Sequence, residues 1–206
     1  MANLYLHPEE VQRWFSDYGD LTYILNYDLN EESKVMDIGG FVGVWAEKII
    51  NKFNPYVYIV EPIPLFYDQM ISKFKHNNKV KIIPVAIGIE NKNGIIYLNG
   101  DASSSNLENE SEKINVQFKT IDSILEDYTI DMIDLLQINI EGDEYLLLDY
   151  MLKTKVINKF KNIQIQFHLG IENAIEKRQL IQNGLIENGF NIKYKYDFVW
   201  EAWSKS

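Results

Sequence analysis

The chain reads Asp37-Ile-Gly-Gly-Phe-Val-Gly43 between a short run of β-formers, Lys34-Val-Met, and an apolar-patterned segment, Val44–Phe53. Glycines placed there let a strand turn sharply into a helix, and they bring the backbone close to a ligand with no Cβ in the way. The helix start adds free amide groups and the positive end of its dipole, which suit a carboxylate. A dinucleotide-binding turn would read Gly-x-Gly-x-x-Gly. Counted from Gly39, its second and third glycines fall on Phe41 and Val44. A ring at position 41 obstructs a pyrophosphate, so the turn predicts a ligand that lacks one.

Strand and helix patterns alternate from residue 33 onward. Tyr56–Glu61 reads as a second strand, followed by a helix near Pro64, a residue suited to a first helical turn. Val80–Ile87 reads as a third strand, irregular near Pro84. The turn Asn91–Gly94 leads into Ile95–Leu98 as a hairpin partner, and a polar loop, Asn99–Glu112, leads to a strand near Val116–Lys119 and a helix Ile121–Tyr128. Met132–Ile140 with the helix Glu144–Leu152, and Asn162–Phe167 with the helix Glu172–Asn188, complete the alternation. The tail Asn191–Trp203 breaks near Asp197 like a terminal hairpin, so its last strand runs antiparallel. This order predicts an α/β sandwich around a mostly parallel, Rossmann-like sheet. No repeat or linker divides the chain, which reads as a single domain over residues 1–206. In residues 1–30, Val11, Trp14, Phe15 and Tyr18 form a helical stripe. That segment is expected to pack on or over the site.

Ligands of such sheets sit beyond the carboxyl ends of the strands. The second strand ends in Glu61, which is either a surface acid or, paired with the glycine turn, an acceptor for the two hydroxyls of an adenosine ribose. The third ends at Val85-Ala-Ile-Gly88, where Ala86 is small enough to border an adenine ring. On the fourth, alternation sets Gln137, Asn139 and Glu141 on one face and Leu136, Ile138 and Ile140 on the other. A polar face on a buried strand is costly without partners or a ligand. Glu141 or Asp143 can also serve as a helix cap. The fifth strand repeats the pattern in Ile163-Gln-Ile-Gln-Phe-His168, so His168 ends a core strand beside that of Glu141, in either a structural or a catalytic role. Trp200 and Trp203 alternate in the terminal hairpin, as core residues or as a platform for a sugar.

The balance of 20 basic and 30 acidic side chains gives a net charge of −10, which repels polyanions and argues against nucleic acid as a partner. Cysteine is absent, so thiolate chemistry, disulfides and cysteine-held zinc are excluded, and a reducing compartment is suited. Three dispersed histidines suggest no metal cluster. No apolar run approaches the roughly 20 residues of a membrane span, and the first residues show no basic region followed by an apolar one. The expectation is a cytoplasmic protein.

Taken together and in order, these segments resemble the FkbM-type methyltransferases over roughly residues 33–168. Asp37–Gly43 is similar to that family's Asp-x-Gly-Ala-Asn-x-Gly turn, and Val60-Glu-Pro-Ile-Pro64 to its Glu-Pro-x-Pro. Ile83–Gly88, Ser103–Ser105 and Thr120–Asp122 are similar to further family segments. Leu135–Gly142 resembles Leu-Leu-Lys-x-Asp-x-Glu-Gly, and Ile165–His168 a strand that carries Glu before its histidine. Four positions depart: Phe41 for Asn, Gln137 for Lys, Asn139 for Asp and Gln166 for Glu. Three charges have become amides, which hydrogen-bond but neither hold charge nor accept a proton usefully.

The resemblance implies a class I methyltransferase fold, with a seven-stranded sheet, and S-adenosylmethionine as cofactor. It implies O-methylation of a hydroxyl on a sugar, a surface-glycan precursor or another small metabolite. Cofactor-binding residues would be Asp37, Gly39, Gly40, Gly43, Glu61, Ile63, Ala86 and Asn139. Ser104, Ser105, Gln137 and Gln166 would meet the acceptor. With the fourth-strand acid replaced, His168 is the expected base, Glu141 orients it or the substrate, and Asn139 completes the catalytic set. The amide replacements also fit a degenerate cofactor-binding partner protein. A Rossmann-like NAD-dependent oxidoreductase is a further alternative, against which the missing third glycine argues.

Overall fold

A computed structural model describes residues 7–99, 102–104 and 112–205. In chain order the elements are α1 (Pro8–Ser16), α2 (Gly19–Thr22), β1 (Lys34–Ile38), α3 (Val44–Phe53), β2 (Tyr56–Val60), α4 (Pro64–Phe74), β3 (Val80–Ile83), β4 (Ala86–Ile87), β5 (Lys92–Asn99), β6 (Ala102–Ser104), β7 (Glu112–Lys119), α5 (Ile121–Asp127), β8 (Ile133–Ile138), α6 (Glu144–Lys153), β9 (Phe160–Ile165), α7 (Ala174–Glu187), β10 (Phe190–Tyr196) and β11 (Trp200–Lys205). Seven strands form the main sheet in the order β10-β11-β9-β8-β1-β2-β3. The pairs along β9-β8-β1-β2-β3 are parallel, and β11 runs antiparallel to both β9 and β10. This is the sheet that the alternating pattern and the family resemblance led us to expect.

The third strand is a departure. Instead of one strand over 80–87 there are two, belonging to different sheets, because Pro84 has no N–H to continue the ladder. After the break, β4 pairs with β7 in a second, four-stranded sheet of order β4-β7-β5-β6. Its partners β5 and β7 are registered antiparallel from Lys92 opposite Phe118 to Leu98 opposite Glu112.

Alternation along the central strands fills both faces of the main sheet. Met36, Ile38, Leu136, Ile138, Ile163 and Ile165 pack with Leu125, Leu148 and Leu185 of α5, α6 and α7. Val35, Val57, Ile59 and Leu135 pack on the other side with Ala46, Ile49 and Met70 of α3 and α4, and with Ile24, Tyr27 and Leu29. One polar row crosses this second face. Asp37, Gln137 and Gln164 are in register across β1, β8 and β9. Gln137 Nε2 donates to Asp37 Oδ1 at 3.2 Å and Gln164 Nε2 to Gln137 Oε1 at 2.8 Å. The hydroxyls of Tyr27 and Tyr194 both donate to Gln164 Oε1.

The amino-terminal helix packs on the terminal hairpin. Trp14 is buried edge-on to Tyr196, with centroids 5.1 Å apart, and Val199 joins the cluster. Arg13 Nη2 donates to the Lys195 carbonyl at 2.5 Å and Glu10 accepts the Asp197 amide at 2.9 Å. The expected stripe is only half used, since Phe15 and Tyr18 are exposed. The reason is local: α1 ends at Ser16, and Tyr18 adopts a left-handed φ of 52° before α2. Trp203 belongs to the core. Among the described residues, no helix is long and apolar enough to cross a membrane.

Trp14 is the one fully buried side chain of α1, so Trp14→Ala is expected to cost about 3–5 kcal/mol. Denaturant unfolding measures this, and limited proteolysis should then cut within residues 8–22.

Candidate active site

A pocket of about 320 Å³ opens beyond the carboxyl ends of β1, β2 and β8, within the size range of small-molecule sites. It gathers Gly39, Glu61, Ile63, Ala86, Asn139 and Glu141, six residues expected there from sequence, with Phe41, Phe66, Ile96, Phe118 and Asp143 among its other walls. The remaining expected residues lie elsewhere. Asp37 and Gln137 are buried in the polar row below the pocket. Gly40 packs against Ile59, and Gly43 begins α3 against the ring of Phe74. His168 stands behind Glu141, and the Gln166 backbone N–H donates to the Ile138 carbonyl. Ser104 lies in β6 of the second sheet, and Ser105 lies outside the described residues. No described residue of 7–30 lines this pocket.

The turn after β1 is fixed by close approach. Gly39 has φ +87°, and a Cβ on it would stand 2.0 Å from the Asn139 carbonyl oxygen. Its amide and that of Gly40 both donate to the Val60 carbonyl. Phe41 also takes a left-handed φ, 51°, which costs a bulky residue of order 1 kcal/mol and suits Asn far better. The gain is its amide, which donates to Glu61 Oε2 at 2.9 Å, and its ring, which meets Phe66 edge-on with centroids 4.4 Å apart.

Glu61 ties two loops together, since its Oε1 accepts the Ile63 amide at 2.9 Å. Burial pushes its carboxyl up to about 7, against the lowering effect of those two amides. Asp37 is raised to about 7 as well, by burial, with Gln137 opposing and the nearby Glu61 reinforcing the rise. Asp37 Oδ2 and Asn139 Oδ1 are buried polar atoms with no protein partner.

Glu144 went unrecognised in the sequence, although it ties the Gly142 turn to His168. Fully buried at the start of α6, it accepts the Gly142 amide at 2.7 Å through Oε2. Its Oε1 accepts the His168 amide at 2.8 Å and faces His168 Nδ1 at 3.1 Å. The other ring nitrogen, Nε2, lies 3.6 Å from Glu141 Oε1. That is an ion-pair distance, too long for a direct hydrogen bond. Burial disfavours the charge on His168, but its two carboxylate partners outweigh burial and raise it to about 9. Pairing with His168 in turn holds Glu141 below the usual carboxylate range. The two carboxylates thus favour the imidazolium form of His168, and the side chain that lines the pocket is Glu141. A glutamate two residues beyond Gly142 in a first helical turn was the available sequence signal for this support.

The polar atoms of this pocket can receive the ribose and ammonium groups of a nucleoside amino acid. The family model described as the methyltransferase FkbM domain matches residues 37–192. No curated protein matches the sequence. Among solved structures, a Streptococcus mutans protein assigned as a methyltransferase, in complex with SAH, is 10% identical, covers 93% of this chain and 97% of its own, and gives a TM-score of 0.55. The fibrillarin pre-rRNA processing protein of Methanococcus jannaschii is 12% identical, with coverages of 85% and 67% and a TM-score of 0.51. A precorrin-6y C5,15-methyltransferase of Geobacter metallireducens is 13% identical, with coverages of 89% and 84% and a TM-score of 0.50. At these identities the likeness establishes the fold.

The buried carboxyl of Asp37 has a consequence for stability. Its folded pKa of about 7 exceeds the unfolded value of about 3.9, so its contribution is fully present below pH ~4 and is lost as pH rises through ~7. Asp37→Asn should therefore flatten the stability–pH curve between about pH 4 and 7 and stabilise the ligand-free protein above that range. Thermal unfolding across that range reads it, and an unchanged curve would contradict the assignment.

Proposed function

This chain belongs to the FkbM methyltransferase family, and on that premise we propose that it methylates a hydroxyl oxygen of a sugar, a surface-glycan precursor or another small metabolite. The family uses S-adenosylmethionine, which supplies a methyl group activated on a positively charged sulfur. The observation that carries the reading is one pocket wall on which Glu61, Asn139 and Glu141 meet beside the Gly39 turn. Each Glu61 oxygen holds one backbone amide and keeps a lone pair for a ribose hydroxyl. Asn139 Oδ1, without a protein partner, is an acceptor suited to an ammonium. The net charge of −10 disfavours a polyanionic acceptor. The absence of cysteine suits a reducing compartment, and we place the reaction in the cytoplasm.

Transfer from a sulfonium needs alignment more than activation, so positioning supplies much of the acceleration. Glu141 accepts the hydrogen bond of the acceptor hydroxyl and points its oxygen at the methyl group. As the carbon–oxygen bond forms, that hydroxyl becomes strongly acidic, so even a carboxylate held low can receive its proton. His168, fixed by Glu144, keeps the Glu141 carboxylate in place and is a positioning residue.

Glu61→Ala should weaken S-adenosylhomocysteine binding by at least roughly ten-fold, the worth of about one lost charged hydrogen bond. Glu141→Gln should leave that affinity within about two-fold while lowering turnover by about a hundred-fold. Calorimetry and methyl transfer to candidate acceptors separate the two. The pH profile of the wild type should lack a rising limb from His168 between pH ~6 and 7, and activity should fall as the imidazolium deprotonates above about 9. A His168-dependent limb near pH ~6.5 would return the base role to the histidine.

A further inference from the structure

A second cavity, of about 490 Å³, lies between the second sheet and α6 and shares Ile87, Phe118 and Asp143 with the cofactor pocket. Ile87, Phe118 and Leu147 are its buried apolar walls, while Ile89, Ile95 and Leu146 rim it at 51%, 44% and 53% exposure. Exposed apolar side chains scattered singly need no explanation. Three from separate segments converging on one cavity mark a binding surface. The opening depends on absent side chains, since a Cβ on Gly94 would stand 2.7 Å from the Phe118 ring. Its polar side chains are the ion pair of Lys92 with Glu90, at 2.5 Å, the neighbouring Asn93, and Asp143 at the junction with the first pocket.

We propose that this trough holds an apolar tail of the methyl acceptor, a hydrocarbon chain or ring system, while the hydroxylated head lies at the Asp143 junction. The assignment rests on the methyl-transfer reading above, because it takes the shared wall as the meeting place of acceptor and cofactor. An amphipathic acceptor follows from the chemistry of the two cavities. One carries Glu61, Glu141 and the unpartnered amide oxygen of Asn139, whereas the other is walled mainly by isoleucine, leucine and phenylalanine, with Asn93 and the ion pair of Lys92 and Glu90 beside them. A free sugar would leave the second cavity empty and its rim exposed.

The test uses octyl β-glucoside below its micelle concentration, and methyl β-glucoside as the head alone, against protein saturated with S-adenosylhomocysteine. In ligand-observed NMR titrations the octyl compound should bind at least roughly ten-fold more tightly, with transfer strongest from its alkyl protons. Leu146→Arg and Ile95→Glu, both at exposed positions, should each weaken it by roughly five-fold or more while S-adenosylhomocysteine affinity stays within about two-fold. That unchanged affinity also certifies the folded state of each variant. Equal binding of the two glucosides, octyl binding indifferent to both variants, or displacement of the octyl compound by S-adenosylhomocysteine would overturn the proposal. Octyl binding in a protein that fails to bind S-adenosylhomocysteine would instead overturn the methyl-transfer reading, and the trough would lose its assignment to an acceptor.

Discussion

The polar row Asp37–Gln137–Gln164 is the constraint on which the geometry of the site depends. Three amide or carboxyl side chains lie buried side by side across β1, β8 and β9, linked to one another by two hydrogen bonds. Sliding any of these strands by one residue would set an apolar side chain into the row and turn a polar one into the opposite core. The register that results also decides which residues leave each strand at its carboxyl end. Ile38 and Ile138 end their strands level with one another, so the Gly39 turn and Asn139 emerge in contact. Tyr27 and Tyr194 close the row from segments far away in sequence, locking the hairpin and the pre-β1 segment to the same register.

Charge in the site is arranged in two unequal ways. Glu61 is buried among backbone amides and needs no cation, while Asp37 has one oxygen without a partner. Glu141 and Glu144 instead share a single imidazolium. Removing that histidine would strand a buried carboxylate, a loss of about 3–5 kcal/mol in comparable buried pairs. The amide substitutions relative to the family pattern fit this division. At position 137 a neutral amide bridges Asp37 and Gln164, donating to one and accepting from the other. A lysine has no acceptor and cannot make both links.

Local chemistry made much of this legible in advance. The helix Val44–Phe53 is found as read, because a glycine at its N-cap and an apolar stripe both act at short range. Asking what ends each strand singled out Glu61, Ala86, Asn139 and Glu141, the family resemblance added Ile63, and all five line one pocket. What escaped depended on distance. The polar alternation of β8 and β9 pointed to a substrate for Gln137, yet cross-strand register supplied it with protein partners. The helical stripe at Trp14 gave no indication of where the helix would stop, so Tyr18 was placed on a face it never shares. Glu144 looked like an ordinary acid of a first helical turn until His168 arrived from another strand.

The second sheet has a consequence of a different kind. It leaves the main sheet at Pro84 and returns at Thr120, which caps α5, and it supplies Ile96 and Phe118 to the pocket at the strand ends and Ile89 and Ile95 to the trough. Among the described residues, none of its strands pairs with a strand of the main sheet. The excursion is therefore a cassette. Lengthening, shortening or recolouring it changes what lies over the pocket while the ladders that position Gly39, Glu61 and Asn139 stay intact. On such a plan descendants of one fold can diverge in the molecules they modify without relearning how to hold the donor.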